Sequence, residues 1–150
     1  MHTALESMVI AKLRARVRGE VIGPSDARYE RARRVWNGRM NRYPALIVYC
    51  ADPDDVLTAI DFARSVGLPI TVRGGGHSMV GFSVSNDAIV IDLSRLKGLQ
   101  IDPWTGITRV QAGLTLGGGI GWLMGTYGLT VDNLLSKGVV NVDGTPGPNF

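Results

Sequence analysis

The chain has little that could staple or anchor it. Its single cysteine, Cys50, excludes an internal disulfide framework, and two histidines without any Cys-x-x-Cys spacing leave no zinc set. Cys50 lies in an apolar run, where a thiol serves as packing. No apolar stretch approaches the roughly 20 residues that span a bilayer. The longest, Ala45 to Ala51, has the length of a strand, and Met1 to Lys12 contains Glu6 and no cleavage pattern. A cytoplasmic address without a membrane partner is therefore expected. Repeats, linkers and low-complexity segments are also absent.

The familiar nucleotide and hydrolase fingerprints are missing too. Gly-x-Gly-x-x-Gly fails at both glycine clusters, because Met79 and Met124 stand three places past Gly76 and Gly121. There is no Gly-Lys-Ser/Thr, which disfavours a P-loop, and Ser78 is not in a Gly-x-Ser-x-Gly elbow.

What remains is 150 residues, 45% hydrophobic and 19% charged, the balance of one compact domain with a sizeable core. The net charge of +3 is unevenly distributed: residues 1–42 carry ten Lys or Arg against four acids, and residues 43–150 carry six against nine. Arg31, Arg33, Arg34 and Arg39 are interspersed with Glu30, Val35 and Trp36, which reads as a solvated helix face with no nucleic-acid partner.

Leu5, Met8, Val9, Leu13 and Val17 recur at helical spacing up to Gly19, and a second helix is predicted from Ser25-Asp26 to before Gly38. Ala45 to Cys50 reads as a strand buried on both faces. Asp52 as cap, Pro53 at the first helical position, the stripe Val56, Leu57, Ile60 and Ala63, and the stop at Gly67 and Pro69 define a helix. Ile70 to Val72 follows as a strand, so Leu46 to Val72 forms a strand-helix-strand unit with a parallel pair. Further strands are predicted at Ala88–Ile91, Gly98–Ile101 and Ile107–Val110, the last two joined as a hairpin through Asp102-Pro103-Trp104-Thr105-Gly106. The expected class is α+β, with a small α/β layer and then a hairpin-rich one.

Three glycines in a row, Gly74 to Gly76, each forfeit about 0.5–1 kcal/mol relative to alanine in regular structure. One reason for them is close approach of a ligand: without Cβ atoms, successive N–H groups converge into a nest for an anion such as a pyrophosphate, to which Arg73 can add charge. The plainer alternative is a tight turn. A second cluster, Gly117 to Gly121, favours two walls closing on one extended cofactor. His77, taken alone, is more readily a hydrogen-bonded loop histidine.

Taken together, Val35-Trp36-Asn37-Gly38, Arg73-Gly74-Gly75-Gly76-His77-Ser78, Val90-Ile91-Asp92-Leu93-Ser94, Leu114 to Leu123 and Tyr127 to Ser136 resemble the FAD-linked oxidases with a vanillyl-alcohol-oxidase-type (PCMH-type) flavin domain, within them the berberine-bridge-enzyme-like group. Helical spacing makes 1–34 a helical region, and 145–150, which has no packing pattern, is expected to be a disordered tail. The resemblance implies the FAD-binding domain at 35–144. It implies FAD held by Arg73, Gly74, Gly75, Gly76, His77, Ser78, Gly118, Gly119, Gly121 and Val140, with a covalent bond from His77 to the flavin 8α carbon. The reaction implied is hydride removal from a small-molecule substrate, with dioxygen as the usual acceptor; substrate-binding and catalytic residues belong to a second domain that the chain does not contain.

One departure stands out. Family members carry a few dozen residues between the segments matching Ile107–Gln111 and Leu114–Leu123, whereas here Ala112-Gly113 runs straight on, as an in-frame deletion would leave it. A second attachment through a cysteine of that segment is not expected, because Cys50 lies elsewhere. Two further readings stay open: a non-catalytic remnant, and a non-redox binder of a phosphorylated small molecule.

Overall fold

The computed structural model describes residues 7–105 and 107–115. In order these form α1 (Ser7–Arg16), β1 (Glu20–Ile22), α2 (Tyr29–Ala32), β2 (Leu46–Tyr49), α3 (Pro53–Val66), β3 (Ile70–Arg73), β4 (Ile89–Asp92), β5 (Leu99–Ile101), β6 (Thr108–Val110) and α4 (Ala112–Thr115). The first four strands make one sheet in the order β1-β2-β4-β3, and β5 with β6 makes an antiparallel hairpin. The mixture of helices and sheets bears out the expected class.

The sheet is buried on both sides, so its central strands are apolar at nearly every position. Leu46, Val48, Ile89 and Ile91 face α1 and α3, where Leu13, Ala59, Phe62 and Ala63 complete the larger core. Their neighbours Ile47 and Val90 point the other way, into a smaller cluster with Ile22, Tyr29, Ala32 and Val84. Residues 7–34 thus share the core of the sheet. Cys50 is fully buried within it, and loss of hydration pushes its thiol up to about 12, the inert state expected of a packing cysteine.

Helix α3 forms as its sequence predicts. The Asp52 carboxylate accepts from the Asp55 N–H at 3.0 Å, Pro53 opens the first turn, and Gly67 closes the helix at φ 68°. The cap contributes about 1 kcal/mol. The second predicted helix shrinks to the single turn of α2. Side chains there take tertiary partners: Tyr29 Oη donates to the Pro44 carbonyl, and Arg33 reaches Glu30, Asn41 and the Arg42 carbonyl.

Two topological expectations change. Strands β2 and β3 are parallel but not adjacent, because β4 lies between them and pairs with both. The strand expected to begin the hairpin layer therefore forms the middle of the first sheet. β3 becomes an edge strand with Val72 about half exposed, so the glycine run leaves from an edge. Strand β1, too short for a periodic signal, was not predicted. It pairs antiparallel with β2 after Gly19, where an added Cβ would lie 1.8 Å from the Tyr49 carbonyl oxygen.

Asp55 secures that corner. Its carboxylate, 2% exposed, accepts from the N–H groups of Arg18, Gly19 and Ala51 at 2.7–2.8 Å, tying the α1–β1 turn and the end of β2 to α3. Asp55→Ala leaves three backbone donors without their acceptor and is expected to destabilise the fold by about 3 kcal/mol. Urea unfolding monitored by tryptophan fluorescence measures this, and a loss below about 1 kcal/mol would contradict the role given to Asp55.

Candidate functional site

Register places four polar residues in one transverse row at the carboxyl ends of the parallel strands. Glu20 pairs with Tyr49, Tyr49 with Asp92, and Asp92 with Arg73. Ligands of open α/β sheets bind outside this end of the strands. A cavity of about 460 Å³ opens there, with these four residues among its lining together with Gly74, Gly75 and Gly76.

Inside the row, Arg73 and Asp92 form a buried ion pair, 5% and 2% exposed, with Nε donating to Oδ2 at 2.5 Å. The other Asp92 oxygen accepts from the Ser94 N–H at 2.8 Å. Arg73 also reaches the Arg34 carbonyl at 3.4 Å and the Tyr49 hydroxyl at 3.5 Å. Its charge is therefore compensated within the sheet.

Residues 34–37 run alongside the glycine turn and are stitched to it. The Trp36 N–H donates to the Gly76 carbonyl at 3.2 Å, and the Asn37 side-chain amide donates to the Met79 carbonyl at 2.9 Å. Gly76 takes φ +74°, a conformation that costs a residue with a Cβ about 1–2 kcal/mol. Gly75 is exposed and Gly74 half-buried, so this stretch of backbone meets the cavity with no side chain in front of it.

Of the residues predicted to hold the cofactor, Arg73, Gly74, Gly75 and Gly76 come together on the cavity wall. His77 and Ser78 stand beside it. His77 is exposed, its ring tilted at 53° to Trp36 with centroids 6.4 Å apart, and Ser78 Oγ accepts from the Phe82 N–H at 3.2 Å. Gly118, Gly119, Gly121 and Val140 lie outside the described residues.

The sequence reading missed the charged part of the site. Arg28, Arg31 and Arg34 recur every third residue and all line the cavity, whereas Tyr29 and Arg33 turn inward. That three-residue spacing was the available signal. Glu20 takes hydrogen bonds from both Arg95 and Arg28, which hold its carboxyl below the ordinary 4.5.

A family model described as an FAD binding domain matches residues 44–118, half of the chain. The chain belongs to that family. This FAD-binding domain is 30% identical to the (R)-6-hydroxynicotine oxidase of Paenarthrobacter nicotinovorans over 85% of its own length and 34% of the relative's. It is 31% identical to the uncharacterized FAD-linked oxidoreductase YgaK of Bacillus subtilis over 91% and 37%. The crystal structure of 6-hydroxy-D-nicotine oxidase from Arthrobacter nicotinovorans superposes with a TM-score of 0.75 at 30% identity, covering 87% of this chain and 35% of that one. The berberine-bridge-enzyme-like protein 1 of Physcomitrella patens shares the fold at a TM-score of 0.79. The chain thus spans about a third of the length of the relatives it matches.

The alignments also measure a gap. That to the hydroxynicotine oxidase runs over 157 residues but takes up 85% of a 150-residue chain, about 128 residues, so about thirty positions have no counterpart here. The YgaK alignment, 166 residues against about 137, leaves about the same number.

Because breaking a buried ion pair strands its other member, Asp92→Ala is expected to cost about 3–5 kcal/mol, whereas Arg73→Met with Asp92→Leu recovers most of it. Equal losses from the single and double variants in urea unfolding would show that the pair is not what holds the strand ends.

Proposed function

We propose that this domain is the flavin-holding part of an oxidoreductase that removes hydride from a small organic substrate and passes the electrons to dioxygen. The reading rests on one observation above all. A side-chain-free turn opens into a positively lined cavity at the carboxyl end of a parallel sheet, in a chain of the FAD-binding family.

The residues present suit the diphosphate of FAD. Gly74 to Gly76 admit an anion to within hydrogen-bonding distance of backbone N–H groups, and five arginines against two carboxylates line the cavity. Gly118, Gly119, Gly121 and Val140 complete the proposed cofactor contacts. When bound, FAD supplies the hydride-accepting chemistry, and the chain's part is to hold and orient it.

His77 is the proposed attachment point. Its exposed imidazole, one residue past the cradle, would bond to the 8α carbon of the flavin ring. The imidazole would supply the nucleophilic nitrogen and FAD the carbon attacked, and dioxygen would serve as the two-electron oxidant that the attachment requires. Expressed with ample riboflavin, the protein is expected to be yellow and to keep that colour through acid precipitation, and His77→Ala to release it. Colourless wild-type protein rules out the flavin reading, and acid-stable colour in the variant rules out His77.

We further propose that the thirty missing positions fall at Ala112-Gly113. An added Cβ at Gly113 would lie 2.4 Å from the Leu93 carbonyl oxygen, so the chain here is pressed against the β4–β5 connection. The adjoining hairpin leaves Leu99, Ile101 and Val110 between 38% and 65% exposed, and a lone hairpin is marginally stable. Inserting the corresponding segment of the hydroxynicotine oxidase between Gly113 and Leu114 is expected to tighten FAD binding by about tenfold and to slow amide exchange in β5 and β6. Unchanged affinity and exchange would place the gap elsewhere.

A further inference from the structure

We propose that Arg31 and Arg34 are the side chains that neutralise the cofactor's diphosphate, and that Arg73, which sits next to the glycines in sequence, is not. This rests on the flavin reading above and names the residues responsible for its affinity.

Five guanidiniums line the cavity, and three of them are already engaged. Arg73 is held by Asp92. Arg28 is held by Asp26 at 2.8 Å and by Glu20. Arg95 is held by Glu20 at 2.7 Å and lies over the Tyr49 ring at 4.4 Å. Arg31 and Arg34 make no ion pair and no side-chain hydrogen bond among the described residues, and both are exposed. Arg34 is felt electrostatically by Glu30, whose carboxylate Arg33 already holds at 2.7 Å.

Position supports the assignment. The Arg34 N–H donates to the Arg31 carbonyl at 3.4 Å, so the two residues lie one turn apart on one face. Two residues on, the Trp36 N–H is bonded to the Gly76 carbonyl, and Arg73 reaches the Arg34 carbonyl. The stretch bearing the uncompensated cations is thereby fixed to the turn bearing the bare amides. A diphosphate placed between them meets neutral donors on one side and mobile positive charge on the other. Guanidinium groups suit it because they can bond two phosphate oxygens at once.

The test is binding of FAD, ADP and riboflavin to the full chain, followed by titration calorimetry in low and high salt, with every protein, the reference that is wild-type at positions 31 and 34 included, carrying His77→Ala so that no covalent flavin fills the site. Arg31→Gln with Arg34→Gln is expected to weaken FAD and ADP about tenfold for each charge removed, to remove most of the salt dependence, and to leave riboflavin, which has no phosphate, unaffected. Arg31→Lys with Arg34→Lys should restore most of the lost affinity. Arg39→Gln, an exposed arginine outside the cavity, should change nothing. If the reference protein binds FAD and the double glutamine variant binds it equally well, this assignment fails and the flavin reading stands. An equal loss of riboflavin affinity would trace the effect to folding and also overturn it. A reference protein that binds neither FAD nor ADP overturns both.

Discussion

A buried ion pair resists disruption because removing either partner leaves an uncompensated charge in a medium of low polarity. In this domain such a pair, Arg73 with Asp92, sits where β3 ends and the glycine turn begins. Among the described residues β3 is an edge strand with one neighbour, so its carboxyl end is free to move on its open side. Pairing Arg73 to the last residue of β4 removes that freedom. The transverse row it completes, from Glu20 through Tyr49 and Asp92, gives the cavity a floor whose members hold one another in place.

The same pair decides how the site can attract an anion. A cationic residue adjoining a glycine turn invites the assumption that it binds the ligand, but Arg73 is already compensated. Positive character at the cavity mouth therefore comes from elsewhere, from a stretch forty residues earlier that packs beside the turn. Division of labour follows: the strand ends and Gly76 supply shape, and the α2 segment supplies charge. Exposed cations retain their hydration until a ligand arrives, so they add attraction without the burial cost that Arg73 and Asp92 bear together.

The shortfall of about thirty residues relative to the hydroxynicotine oxidase bears on the other half of the fold. The first sheet is complete by the standards of its own core, with Leu46, Ile47, Val48, Ile89 and Val90 all fully buried. The β5–β6 hairpin is different: Leu99, Ile101 and Val110, which register puts on one face, are all exposed, and Trp104 at its tip is 94% exposed. Among the described residues the first layer is packed and the hairpin is exposed, and each layer of a fold is stable only when its apolar face is met by another.

Local chemistry was legible in the sequence wherever neighbouring residues decide the outcome. Asp52, Pro53 and Gly67 delimit α3 by capping geometry alone; the apolar runs at β2 and β4 require burial on both faces; and the isolated Cys50 is packing. Contacts distant in sequence were not legible. Only the tertiary structure inserted β4 between β2 and β3, recruited Glu20–Ile22 as a fourth strand through the close approach allowed by Gly19, and paired Arg73 with a residue nineteen positions away. The physical reason is that strand order and charge pairing depend on which surfaces meet after the chain has folded back, whereas caps, turns and periodicity are settled within a few residues of themselves.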